Sequence, residues 1–81
     1  MLLLQKSEIM QEKAKVILKT KKAEAVRRFY PWVFSAAIKD IEGAVSNGSV
    51  VDVYSNKIKY LATGHYQDGS IAVRLFSWEN I

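Results

Sequence analysis

Eighty-one residues with a net charge of +4 admit one domain with a modest core. A hydrophobic content of 49% and an aromatic content of 11% exclude a disordered chain, and the lack of cysteine excludes disulfides and thiolate metal sites. The apolar run at residues 2–4 is too short for a signal peptide or a membrane span, so no membrane partner and a cytoplasmic location are expected.

The charge is unevenly spread. Residues 13–28 hold seven basic side chains (Lys13, Lys15, Lys19, Lys21, Lys22, Arg27 and Arg28) against the single acid Glu24, which is +6 and leaves −2 for the rest of the chain. A cationic segment on an otherwise slightly acidic chain is the electrostatic footprint of a polyanion binder. A solvated helix face would carry the same charges, and that reading stays open at this level.

In chain order, residues 1–12 lack a clean apolar stripe and read as a leader, frayed or briefly helical. Residues 13–81 form the domain. Val16, Ile17 and Leu18, bounded by lysines, predict a strand. Thr20 is placed to cap a short helix over residues 21–29, with Ala23, Ala25, Val26 and Phe29 on its apolar side. Lys21, Arg27 and Arg28 point the other way, and Lys22 snorkels from the apolar arc. Pro31 ends the helix by biasing Tyr30 away from helical angles.

Residues 32–35 read as strand or extended core, with Trp32 and Phe34 expected inside because each has a large area to bury. Residues 36–40 read as a turn or one helical turn. Asn47-Gly48 and Asp68-Gly69 are turn signals. Between and after them the chain alternates as strands do: Val51, Val53 and Ser55; then Ile58, Tyr60, Ala62, Gly64 and Tyr66 after a turn at Ser55-Asn56; then Ile71, Val73 and Leu75. Gly64 within a strand predicts a bulge or the close approach of another backbone. The fold class is mostly β with one or two short helices, a small barrel of about five to six short strands.

No constellation for catalysis stands out. His65 is the only histidine and reads as structural or surface. No glycine-rich nucleotide loop is present, and the acids Asp40, Glu42, Asp52 and Asp68 are scattered beside turns. Arg74 inside an apolar strand is expected to pair with Asp52, or to sit on the sheet surface.

Three blocks, YPWVFSAAIKDIEG, GSVVDVYSNKIKYLATGHY and SIAVRLFSWE, resemble the N-terminal PUA domain of bacterial large-subunit rRNA cytosine-5 methyltransferases. Pro31-Trp32-Val33-Phe34-Ser35, Val51-Asp52-Val53, Gly64-His65-Tyr66 and Ile71-Ala72-Val73-Arg74 carry the resemblance, which covers about residues 15–78. The family's Gly-His before the proline is Phe29-Tyr30 here. The resemblance implies a PUA-like pseudo-barrel that binds structured RNA, large-subunit rRNA in particular. It implies a C-terminal catalytic domain, absent from these residues, that uses S-adenosylmethionine and a cysteine nucleophile. No metal, cofactor or catalytic residue is expected in this chain, which reads as a domain of a longer enzyme or a stand-alone relative. Lys19, Lys21, Lys22, Arg27 and Arg28 are the expected phosphate contacts, and Tyr30 stacks on an unpaired base or packs in the core. The alternative is a docking or oligomerisation domain that orients a catalytic domain, with Trp78 exposed for that purpose.

Overall fold

Valine decides where the core lies. The computed structural model describes residues 13–79, so the leader expected over residues 1–12 lies outside them. Six strands run β1 (Ala14–Leu18), β2 (Trp32–Phe34), β3 (Ile38–Glu42), β4 (Val50–Tyr54), β5 (Tyr60–Tyr66) and β6 (Ile71–Ser77). A five-residue helix α1 (Ala23–Arg27) follows β1, and a 3-10 turn (Ser35–Ala37) joins β2 to β3. The strands form one curled half-barrel in the order β2-β6-β5-β4-β1-β3. β1 and β4 pair in parallel and all other neighbours are antiparallel.

Val16, Leu18, Val51, Val53, Ala62 and Val73 are fully buried at its centre, and Ala23 and Val26 of α1 close one end. β-Branched side chains pack well on pleated surfaces, and β1, wedged between β3 and β4, is buried at nearly every position. β3 was not read as a strand from the sequence. It is an edge strand with a mostly exposed IKDIE face, so its alternation is weak.

The helix is shorter than expected and differently capped. Lys22 N–H bonds Lys19 O at 3.0 Å, closing a β-turn whose third residue, Lys21, has φ 71°. That angle is not helical, so the helix starts after Lys22 and Thr20 does not cap it. At the other end Phe29 adopts φ 67°, with Phe29 N–H on Val26 O (2.9 Å) and Tyr30 N–H on Ala25 O (3.0 Å). This pair of bonds is a Schellman motif with phenylalanine where glycine is usual. The Phe29 ring meets Trp78 edge-on at 5.4 Å, which helps hold the residue there. Trp78 is not the exposed docking residue expected: it is half-buried and its Nε1–H donates to Val26 O at 2.9 Å, tying β6 to α1.

Both predicted turn glycines, Gly48 and Gly69, have positive φ, and Asn47 Oδ1 accepts Asp68 N–H at 2.7 Å, joining the two turns. Gly64 serves close approach. A Cβ there would lie 2.4 Å from Arg74 O, beside a register shift between Thr63 and Gly64. Ile58 is not on the β5 face but in the preceding turn, 57% exposed at φ 62°.

Asp52 does not pair with Arg74. It is buried on β4, accepts the Thr63 hydroxyl at 2.7 Å, and lies 3.6 Å from Lys13 Nζ. Because Thr63 spends its single proton on Asp52, Tyr60 donates its own to Thr63 Oγ1 (2.6 Å) or to Glu79 O (2.8 Å). The half-barrel thus holds a satisfied polar chain between strands that sit directly opposite one another. Arg74 is exposed on β6, the sheet-surface alternative.

Candidate nucleic-acid interface

The six residues expected to touch RNA fall into three places. Lys19, Lys21 and Arg27 line one cleft of about 230 Å³ on the Ala23 and Glu24 side of α1. Lys22 and Tyr30 line a second cleft of about 240 Å³ on the other side, with Ala25 and Val26. Arg28 is in neither. Its Nε donates to Glu24 at 3.0 Å, an i,i+4 pair with the acid on the favourable N-terminal side. Such an exposed pair contributes about 0.3–0.5 kcal/mol and leaves Arg28 less positive as a neighbour.

Two separate turns build the first cleft. One is the Lys19-to-Lys22 turn after β1, which sets Lys19 and Lys21 on the rim. The other is the β4–β5 hairpin, where Ile58 N–H bonds Ser55 O (2.8 Å) and Ser55 N–H bonds Lys59 O (2.9 Å). The buried Ser55 hydroxyl also accepts the N–H groups of Lys57 and Lys59 at 3.2 Å, which fixes the loop tightly. This hairpin brings Asn56 and Lys57 to the cleft wall. Lys39 Nζ reaches Asn56 Oδ1 at 3.3 Å and adds charge at the rim. Sequence reasoning missed Asn56, Lys57 and Lys39. The SNKIK turn between two strands was visible, but nothing local tied it to a helix more than twenty-five residues earlier.

Lys19, Lys21, Arg27 and Lys57 thus converge from three segments, and the cleft's only acid, Glu24, is held by Arg28. Like charges gathered in a concave wall focus potential toward an incoming anion. Both turns also hold a residue other than glycine at positive φ, Lys21 in one and Ile58 in the other. An L-residue there costs about 1–2 kcal/mol. Strain of this kind clusters at binding sites, where it fixes a geometry that relaxed backbone would not keep.

The second cleft is aromatic. Tyr30 is 43% exposed, and Trp32 and Phe34 are each 42% exposed, so β2 turns its large rings outward and only Val33 inward. This overturns the expectation that Trp32 and Phe34 are core. The core is filled by valines, which the closely spaced strands accommodate. The three rings gather, Tyr30 lying 6.1 Å from Trp32 and 6.4 Å from Phe34.

A family model described as a PUA-like domain matches residues 16–78. Ribosomal RNA large subunit methyltransferase I of Vibrio cholerae serotype O1 is 44% identical over 57 residues, which is 69% of this chain and 14% of that protein. The enzyme of the same name from Alteromonas mediterranea is 34% identical over 67 residues, 82% of this chain and 17% of the relative. That of Escherichia coli O1:K1 is 32% identical over 66 residues, 80% of this chain and 17% of the relative. The chain therefore spans only a small part of the length of the relatives it matches. Among the described residues, no helix is long and apolar enough to cross a membrane.

Proposed function

Because the chain belongs to the PUA-like domain family, we propose that it is a non-catalytic RNA-binding module that presents structured RNA to a methyltransferase domain. The observation that carries this reading is the convergence of Lys19, Lys21, Arg27 and Lys57 on one cleft. Each lysine or arginine placed on a phosphate releases condensed counterions, so affinity comes from charge and falls with salt. Paired RNA presents phosphates and 2′-hydroxyls in a regular shape, and a rigid basic cleft engages it without a base code. Lys22 extends the charged path around α1, and Arg28 contributes less because Glu24 occupies it.

The names of the relatives make large-subunit rRNA the RNA to test first; a cytosine C5 as the target within it is our reading from the sequence resemblance alone. Such chemistry takes place in the cytoplasm, where ribosomes are assembled. S-adenosylmethionine supplies the methyl group in that chemistry, but the described residues do not fit it. The clefts offer cations and aromatic rings, and their one acid is bound to Arg28. The cofactor belongs to a catalytic domain elsewhere in the enzyme.

Fluorescence anisotropy of the chain with a labelled rRNA hairpin, repeated across a salt series, tests the reading. About four phosphate contacts give a log–log slope of roughly −3 to −4. Arg27→Glu should weaken binding at least tenfold with the melting temperature unchanged, and Arg28→Glu should weaken it less. Equal binding by wild type and Arg27→Glu would reduce the basic cleft to a solvated surface.

A further inference from the structure

The basic cleft leaves the aromatic face unexplained. On β2, Trp32 stands opposite Arg74 of β6; Arg74 stands opposite His65 of β5; and His65 stands opposite Val50 of β4. Residues directly opposite in an antiparallel ladder share a face, and all four are exposed. The Phe76 ring lies 4.8 Å from His65 on the same surface. From the β2 edge inward the row therefore reads indole, guanidinium, imidazole, with a phenyl ring beside it. At the edge, Tyr30 and Phe34 join Trp32 to wall the groove against α1, whose only charged lining residue is Lys22.

We propose that this face stacks unpaired nucleobases of the bound RNA, an inference that rests on the RNA-binding reading above. Every base offers a π face, and exposed aromatic rings, together with planar guanidinium and imidazole groups, are the side chains on which bases stack. No acid lies in the row or the groove, so an approaching phosphate meets no repulsion. Arg74 within the row adds a planar cation that can stack on a base or meet a phosphate. The path is also continuous. Lys21 lines the basic cleft and Lys22 the aromatic groove, so adjacent residues hold the RNA backbone on either side of α1. Paired RNA would sit in the basic cleft, and a loop or bulge leading from it would lay its bases on Trp32 and its neighbours.

The test compares two labelled two-strand RNA duplexes, one fully paired and blunt-ended and one identical but for a three-adenosine bulge in one strand. The expected result is tighter binding of the bulged RNA by about 5- to 160-fold, the effect of one stacked base. Trp32→Leu and Phe34→Leu keep apolar bulk without a π face and should erase that advantage while leaving the affinity for the fully paired duplex unchanged. Trp32→Phe should retain most of it. Equal affinity for the two RNAs, or a bulge preference that survives Trp32→Leu and Phe34→Leu, overturns the proposal, leaves RNA binding standing and returns the face to protein contact. Failure of both RNAs to bind at low salt overturns this inference together with the RNA-binding reading.

Discussion

Gly64→Ala perturbs the molecule where two backbones come closest. The new methyl carbon would sit 2.4 Å from Arg74 O and 2.8 Å from both Arg74 C and Leu75 Cα, where ordinary contact begins at 3.4 Å. The obstacle is main chain, so no rotamer change relieves it. β5 and β6 must part by about 1 Å locally, which lengthens the flanking ladder bonds beyond good geometry. Losing two or three of them at about 1 kcal/mol each puts the cost near 3 kcal/mol, within the range found for overpacked sites. A chain of this size holds roughly 4–12 kcal/mol in total, so the variant should fold but melt early. Urea unfolding followed by tryptophan fluorescence measures it. With a slope of about 1 kcal/mol/M, the midpoint should fall by roughly 2–3 M. A midpoint within about 0.5 M of wild type would refute the reasoning and mean that the strands yield at little cost.

Lys21→Gly should raise stability by about 0.5–1 kcal/mol, since glycine occupies positive φ freely and the gain exceeds its extra unfolded-state entropy; the same variant should bind RNA more weakly, and urea titration beside anisotropy reads both. Thr63→Val leaves buried Asp52 without its hydroxyl donor at nearly constant side-chain shape. Its expected cost is about 1–3 kcal/mol by thermal or chemical unfolding, and a neutral result would mean that Lys13 alone satisfies the carboxylate.

Asn47-Gly48, Asp68-Gly69 and the alternation of β4, β5 and β6 were legible because each is a local signal, repeated every second residue or fixed by turn chemistry. The expected RNA contacts were legible as a charged segment but not as a site. Whether Lys21 and Lys22 share a cleft depends on backbone angles that residue type does not dictate, and here Lys21 leaves the helix for a turn. Lys57 joined the site only through the curl of the sheet. Trp32 and Phe34 were misplaced because size was taken to imply burial. Large rings are kept outside when a core built from closely spaced valines has no volume for them. β3 was missed for a related reason, since an edge strand with both faces partly wet loses its alternation. Gly64 was read from one residue type alone, because only glycine lets backbone meet backbone.

The strand that carries Trp32 and Phe34 has a single partner in the sheet, and that partner is β6, the last of the described strands. β1 finds both its partners, β3 and β4, by Tyr54, whereas β2 waits for nearly the whole domain to be synthesised. While the chain emerges from a ribosome, the backbone donors and acceptors of β2 wait longest for their partner strand. The interval ends when β6 arrives, with Trp78 just past its end to latch the helix. Pairing of β2 thereby marks completion of the described sheet, and on the proposed reading an RNA that depends on this face engages only a finished sheet.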